Sequence, residues 1–461
     1  MAINTNPRYQ QQALDTLSYV SIEDDSRFPS ITSLGSNPNV VYNKTARLVY
    51  DIANQGTNSS PFGDNASTDA FGRLRVSQPV TLFDSKHLYS KAPFSYDEVL
   101  SGSATSVHVP GDALVLMSTI SANDIVIRQT PLRFNYQPGK SIVGVFTGVF
   151  APQPNIIKRI GLFQSLSTIP YEPDSGIYLE VTSTGPSFVL KKSLGTPYVS
   201  SIPQSAWNLD RMDGTGASDI SIDFTKAQIF AVDYEWLGVG RIRYGFYVSG
   251  KLYYAHQVTN FNILSSAYIS TPNHPVRYEI RQTGPGSGSM KHICATVIIE
   301  GNQDIVGTLA TASLSSAITC STTQWTPVIA VRQATGQPDV VSLLRSVDLY
   351  NTDNIAVGMY KIIYNPVFSA PLNWVALNNN LALQYAQGSA AVSVSGGIDL
   401  LTKFIAPSQG NTVSDSEATF FDLNGRFGTK IDGTPETLVL AIRGLNASPV
   451  VWATMNLIQR A

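Results

Sequence analysis

From Phe71 to Gly301 no apolar run outlasts a strand. Ala113-Leu114-Val115-Leu116, Ile125-Val126-Ile127, Ile142-Val143-Gly144-Val145-Phe146 and Ile160-Gly161-Leu162-Phe163 follow one another, each closed by Gly, Pro, Asn or Ser. No segment keeps a helical period over three turns. Short strands with frequent turns bury their apolar side only by pairing and stacking, so the chain is expected to be all-β and built of sandwiches.

The turns sharpen this reading. Gly176 to Val181 and Phe188 to Leu190 flank Ser183-Thr184-Gly185-Pro186, a hairpin signal. Arg277 to Ile280 and Ala295 to Ile299 are expected to face each other across Gly284-Pro285-Gly286-Ser287-Gly288. In Glu235 to His256, alternation puts Ile242, Tyr244, Phe246 and Val248 on one strand face and Arg241, Arg243 and Tyr247 on the other. After the turn at Ser249-Gly250, Leu252, Tyr254 and His256 share one face of the return strand, opposite Lys251, Tyr253 and Ala255. The apolar side should be core. The basic and phenolic side should be exposed or lie under another chain.

Residues 1–75 differ from the rest. Polar clusters such as Asn54-Gln55-Gly56-Thr57-Asn58-Ser59-Ser60 separate brief apolar islands, too sparse for an independent core. Tyr9, Tyr19, Phe28, Tyr42 and Tyr50 are anchors of a kind that purely solvating tails seldom carry, so this part reads as an extended N-terminal arm. Residues 76–301 read as the main sandwich and 302–324 as a linker rich in Ser, Thr and Ala. Residues 325–461 read as a smaller C-terminal β-sandwich, with its best strands at Val328 to Val331, Val347 to Tyr350, Tyr360 to Tyr364, Leu438 to Ile442 and Val450 to Met455.

Charge excludes some roles. Lys+Arg 31 against Asp+Glu 33 gives −2 over 461 residues, with no clustered basic excess, so no nucleic-acid partner is expected. Lys158-Arg159 and Lys191-Lys192 read as solvated strand edges. No run approaches the roughly 20 apolar residues that span a bilayer, so no membrane partner is expected. MAINTNPRYQQQ has no signal-like apolar stretch. Cys294 and Cys320 are too few for a disulfide framework or a zinc site, and read as reduced thiols.

The search for chemistry finds little. Asp233 and Glu235 in Ala231-Val232-Asp233-Tyr234-Glu235 would share a strand face roughly 6–7 Å apart, near the separation of glycosidase acid pairs. Ala231 stands where three-acid strands carry the first carboxylate, and outward-facing carboxylates that pair or solvate are the simpler explanation of both residues. Asp210 and Asp213 before Gly214 could supply some calcium ligands, but their spacing fits a turn with Asx hydrogen bonds better. The five histidines lack metal-ligand spacing, and His256 reads as a hydrogen-bonded core residue. Arg277 reads as pairing within its sheet. No catalytic, cofactor-binding or metal-binding residue is assigned.

Several strings carry a resemblance: Phe71-Gly72-Arg73-Leu74-Arg75-Val76-Ser77, Leu82-Phe83-Asp84-Ser85, Tyr136-Gln137-Pro138-Gly139-Lys140-Ser141, Arg159-Ile160-Gly161-Leu162-Phe163, Trp207-Asn208-Leu209-Asp210, Glu235 to Arg241, and Pro275-Val276-Arg277-Tyr278-Glu279-Ile280. Together they resemble virion structural proteins of tailed phages, notably aquatic ones, and of some large DNA viruses. The resemblance covers roughly residues 70–301. It implies a concanavalin-like (jelly-roll) sandwich in a non-enzymatic virion component of the tail, baseplate, fibre or capsid surface, made in the host cytoplasm. The partners implied are other virion proteins and sister copies, with a trimer the natural closure for a fibre or knob. Two alternatives stand beside it. One is recognition of a host-surface glycan, with Trp207, Asn208, Tyr247 and Tyr253 as contacts. The other is a virion-associated glycoside hydrolase working through Asp233 and Glu235.

Overall fold

The computed structural model describes residues 68–460, apart from positions 74, 76, 166–169, 302–306, 408–412 and 416–425. The chain is all-β: beyond the strands, the described residues include only the short 3-10 turns Pro110–Asp112 and Gln204–Ala206. Of the expected arm, residues 1–75, positions 1–67 lie outside the described residues.

Two antiparallel sheets form the first sandwich. One runs in spatial order Lys251–Val258, Ile242–Val248, Ala227–Tyr234, Ile142–Val149, Gly288–Ile299, Leu114–Thr119, Thr105–Val109, with Val80–Lys86 also paired to Gly288–Ile299. The other runs Tyr198–Pro203, Gly185–Lys192, Ser175–Thr182, Ile156–Gln164, Val276–Gln282, Ile125–Gln129, Asp97–Ser101. Their inner faces share one apolar core, in which Phe146, Phe230, Tyr244 and Phe246 of the first sheet meet Ile160, Leu179, Phe188 and Ile280 of the second. Phe188 lies at its centre, stacked 4.6 Å from Tyr244 and 4.2 Å from Trp207. Such rings contribute both buried area and preferred stacking geometry.

Two of the expected hairpins form. Gly185 turns Thr182 back along the neighbouring strand. Ser249 and Gly250 both take positive φ (51° and 79°), the backbone that a two-residue hairpin requires. The third differs. Val276–Gln282 and Gly288–Ile299 belong to opposite sheets, so the run Gly284 to Gly288 carries the chain across the sandwich instead of turning it back. A glycine-rich loop serves either purpose, and which it serves depends on pairing with strands distant in sequence.

The second sandwich repeats the plan. One sheet runs Thr308–Ser313, Val450–Arg460, Val341–Asn351, Val413–Asp415, with Ile318–Thr319 and Arg426–Phe427 as side pairings. The other runs Val375–Ala376, Leu383–Gln387, Thr326–Gln333, Thr437–Gly444, Gly358–Tyr364, Ile398–Ile405. Leu344, Leu349, Tyr360, Ile362, Leu440 and Met455 are among its core residues. The stretch expected as a linker therefore contributes strands: Ala310 and Ala312 are buried against the closing strand, where small side chains fit.

The sandwiches meet through specific contacts. Arg133 donates to the carbonyls of Pro131 (2.8 Å) and Thr429 (2.7 Å). Asp339 accepts from Gln164 (2.8 Å), and its carbonyl accepts from Asn273 (3.1 Å). Ile431 packs on Ile125, Ile127 and Tyr171 while its amide donates to Asp97 (2.8 Å). At Gly428 a Cβ would stand 2.2 Å from the Pro131 carbonyl oxygen, so only glycine allows this approach.

Candidate functional site

The outer face of the first sheet holds the densest set of ionisable groups around a candidate acid. Asp233, on Ala227–Tyr234, is in register with Arg243 on the neighbouring strand. Arg243 donates Nε to Oδ1 (2.9 Å) and Nη2 to Oδ2 (2.6 Å). Oδ2 also accepts from Arg75 (2.5 Å) and from the Tyr254 hydroxyl (2.5 Å). Arg243 lies over the Tyr254 ring, 4.1 Å from its centroid. Arg75 reaches on to Glu300 (2.8 Å). Burial raises the pKa of the Glu300 carboxyl, and Arg75 opposes the rise. The Tyr254 hydroxyl is pushed well up, first by burial and then by the adjacent Asp233 charge.

The cover on this cluster comes from the chain itself. Asp69, Ala70 and Thr68 are buried. The Thr68 carbonyl accepts from Arg243 (2.8 Å) and Arg75 (3.0 Å), and the Ala70 carbonyl from Arg241 (3.0 Å). Asp69 and Arg73 close a short turn, with both Nε and Nη2 of Arg73 on one carboxylate oxygen. The part of the basic face at Arg241 and Arg243 is therefore covered by the same chain, through residues 68–73 and Arg75.

A bulge explains a second difference on this hairpin. Tyr244 pairs with His256 but Gly245 pairs with Tyr254, so Ala255 is an extra residue and the side-chain alternation resets there. Leu252 and Tyr254 consequently share the outer face with Arg243 and Tyr247, while Tyr253 and His256 take the core side with Phe246 and Tyr244. His256 accepts the Asn208 amide (3.1 Å), and burial lowers its pKa to about 4.

The two carboxylates expected to share a face are separated in role. Both oxygens of Asp233 are occupied by cations or a phenol. Glu235 lies beyond the strand end in a turn closed by its own amide to the Arg241 carbonyl, and its Oε1 accepts the Arg241 amide (3.1 Å). Burial raises the Glu235 pKa. The turn at Asp210 is likewise self-contained. Its two oxygens accept the amides of Met212 (2.9 Å) and Ser218 (2.7 Å), and Asp213 accepts from Thr215. Among the described residues no group of three or more His, Cys, Asp or Glu is placed to hold a metal ion.

The four glycan candidates do not make one surface. Trp207 is 4 % exposed, stacked in the core with its indole N–H on the Ile202 carbonyl (3.2 Å). Asn208 is exposed but bonded through both ends of its amide to the Gln257 backbone (2.9 Å each). Tyr247 lies on the outer face and Tyr253 on the inner side, where Lys251 sits 4.8 Å over its ring.

The second sheet carries a matching cage on its outer face. Arg277, Glu279 and Arg281 alternate along one strand, and Glu279 accepts from Arg277 (2.9 and 2.5 Å), Arg159 (2.7 Å) and Arg281. Burial pushes its carboxyl up, but Arg277, Arg159 and Arg281 outweigh that and hold it at about 2. The Tyr171 carbonyl lids the cage, accepting from Arg277 (2.8 Å) and Arg281 (2.6 Å). Lys158, Arg159 and Lys192, expected at solvated edges, are buried. Lys158 bonds Gln153 (2.7 Å), Arg159 bonds Glu180 (2.7 Å), and Lys192 bonds the Ala267 carbonyl (2.8 Å). The available signal for the cage was the spacing of Arg277, Glu279 and Arg281, which puts all three on one strand face. No sequence signal pointed from Arg75 to Glu300.

No family model and no curated protein matches the chain in sequence. Three solved structures illustrate the similarity of shape. The Emp47p carbohydrate recognition domain is 13 % identical at TM-score 0.31, spanning 49 % of this chain and 98 % of its own. A Bacillus licheniformis beta-glucanase is 9 % identical at TM-score 0.30, spanning 48 % and 98 %. The CBM2 module of the evolved Dit from Lactobacillus casei BL23 phage J-1 is 8 % identical at TM-score 0.32, spanning 50 % and 99 %.

Proposed function

We propose that this chain is a non-catalytic structural component of a phage particle, held in the assembly by residues ahead of Thr68 and displaying two β-sandwiches. The observation that carries the reading is the clip at residues 68–75. Backbone carbonyls of Thr68 and Ala70 and the side chain of Arg75 fasten the chain leaving the arm to Arg241, Arg243, Asp233 and Glu300. A load on residues 1–67 therefore passes straight into the sheet instead of into a slack linker. Buried ion pairs are an inefficient way to gain stability compared with apolar packing, and their attested use is to fix one arrangement. Fixing the arm's exit is such a use.

The strings that carry the resemblance supply this fastening. Residues 71–77 and 235–241 furnish Arg73, Arg75 and Arg241, while 159–163 and 275–280 furnish Arg159, Arg277 and Glu279 of the second cage. Arg73 is matched to Asp69, Arg75 to Asp233 and Glu300, and Arg159 and Arg277 to Glu279, which suits a load-bearing part and leaves neither oxygen of Asp233 available to a sugar. Sister copies joined through their arms would close with point symmetry, a trimer in a fibre or knob.

Electron microscopy of particles of the encoding phage, decorated with antibody to the second sandwich, tests the reading. Label at one repeated position on every particle is the expected result. Unlabelled particles that also lack the chain by mass spectrometry would defeat it.

A further inference from the structure

The outer face of the second sandwich's second sheet is covered at its centre, where Val439, Ala441 and Ile363 pack with Val394, Phe368 and Leu372, and it places cations over the partly buried Trp325 and Trp374 rings. On Thr437–Gly444, Leu438, Leu440 and Ile442 enter the core, so Thr437, Val439, Ala441 and Arg443 point the other way. Register adds Arg332 beside Thr437, Lys361 beside Ala441, and Met359 with Phe404 beside Arg443. Arg332 lies 4.1 Å over the Trp374 ring, with its Nε fixed by Gln384 (2.9 Å). Lys361 and Arg443 lie 4.6 and 5.0 Å over Trp325. Phe404, 68 % exposed, extends the aromatic surface next to Arg443.

The charges on this face are not balanced. Lys361 pairs with Asp399, but neither Arg332 nor Arg443 makes an ion pair among the described residues. This contrasts with Arg75, Arg159, Arg243, Arg277 and Arg281 in the first sandwich, each matched to a carboxylate. A guanidinium over an indole keeps its planar fork pre-oriented for bidentate contact with an oxyanion. Thr437 and Arg443 are six residues apart on one strand, so the two unmatched cations stand about 20 Å apart.

We propose that this face binds an acidic polysaccharide: carboxylate or sulfate groups dock on Arg332 and Arg443, and the apolar face of a sugar ring packs on the exposed Phe404. Charge spacing selects this ligand class. Single-stranded nucleic acid would bring about six phosphates over about 20 Å, against two unmatched cations on a chain of net charge −2. A polysaccharide charged on only some of its sugars matches that density. The site shares no residue with the clip, so it stands or falls apart from the structural role proposed above.

The test is affinity electrophoresis of the full chain through gels containing polygalacturonate, chondroitin sulfate or neutral dextran, with oligothymidylate as a competing probe. Retardation by polygalacturonate or chondroitin sulfate but not dextran is expected, weakening as salt rises. The Arg332→Gln/Arg443→Gln variant should lose about tenfold or more in affinity at an unchanged melting temperature. Should that variant melt early, Arg443→Lys, which keeps the charge and loses the fork, should still bind several-fold more weakly. Passage through both acidic gels without retardation would overturn the site. So would a folded double variant of undiminished affinity, or oligothymidylate binding more tightly than either polysaccharide.

Discussion

Asp233 and Arg243 form a two-bond pair across adjacent strands, at 2.9 and 2.6 Å, with both side chains 1 % exposed. Such a carboxylate is fastened on one side by its neighbour strand and on the other by Arg75 from the clip. Removing it takes from the buried Arg243 guanidinium the carboxylate it pairs with, while Arg75 keeps its pair with Glu300. Asp233→Ala should therefore cost about 3–5 kcal/mol, read as a lower denaturant midpoint. A catalytic Asp233 would instead tolerate replacement with little change in stability.

Arg75 tests the clip from its other end. Its side chain is partly exposed (18 %), so the cost of Arg75→Gln should be smaller, about 1–2 kcal/mol. The more telling change is local. Limited proteolysis should cut within residues 68–77 several-fold faster while the sandwich behind it stays protected, because the clip opens without global unfolding.

Protonation should weaken the fold from pH 6.5 downward. Burial, with Arg133 second, lowers His274 to about 3; burial, with Arg128 second, lowers His87 to about 4; burial lowers His256 to about 4. The unfolded chain takes up these protons near pH 6.5 and the folded chain does not, so stability is full above 6.5 and falls as pH drops toward 4. Glu279 extends the loss: its folded carboxyl sits at about 2 against 4.5, so its contribution is present above 4.5 and disappears as pH falls through 2. Urea midpoints at pH 7, 6 and 5 should decrease in order, and His274→Asn should flatten the series. Equal midpoints would contradict the assignment.

The sandwich-to-sandwich contact hinges on a glycine. Gly428→Val places carbon where the Pro131 carbonyl oxygen now lies, 2.2 Å from an ideal Cβ. The backbone must move, and the bonds of Thr429 and Ile431 to Pro131 and Asp97 should go with it. Calorimetry should then separate the melting of the two sandwiches by several degrees more than in the parent chain.

What the sequence made readable were local features: strand-length apolar runs and turns whose glycines need positive φ, such as Ser249-Gly250. Pairings set by distant strands were not readable. Gly284 to Gly288 looks like a hairpin loop until Val276–Gln282 and Gly288–Ile299 are assigned to different sheets. One bulge residue, Ala255, moved Tyr254 to the opposite face from His256. Buried and solvated charges are identical as letters, so Lys158-Arg159 read as surface. The Arg75 to Glu300 bond spans 225 positions with nothing local to announce it. The glycan candidates failed as a single surface for the same reason: Trp207 looks like a platform in sequence and is a core ring in space.

The most direct measurement of the central claim is to express the chain from Thr68 onward in place of the full protein during phage assembly. The clip stays intact in this truncation, so the purified protein should melt cooperatively near the parent temperature and yet be missing from finished particles. Particles carrying it at the parental copy number would contradict the arm as the point of attachment.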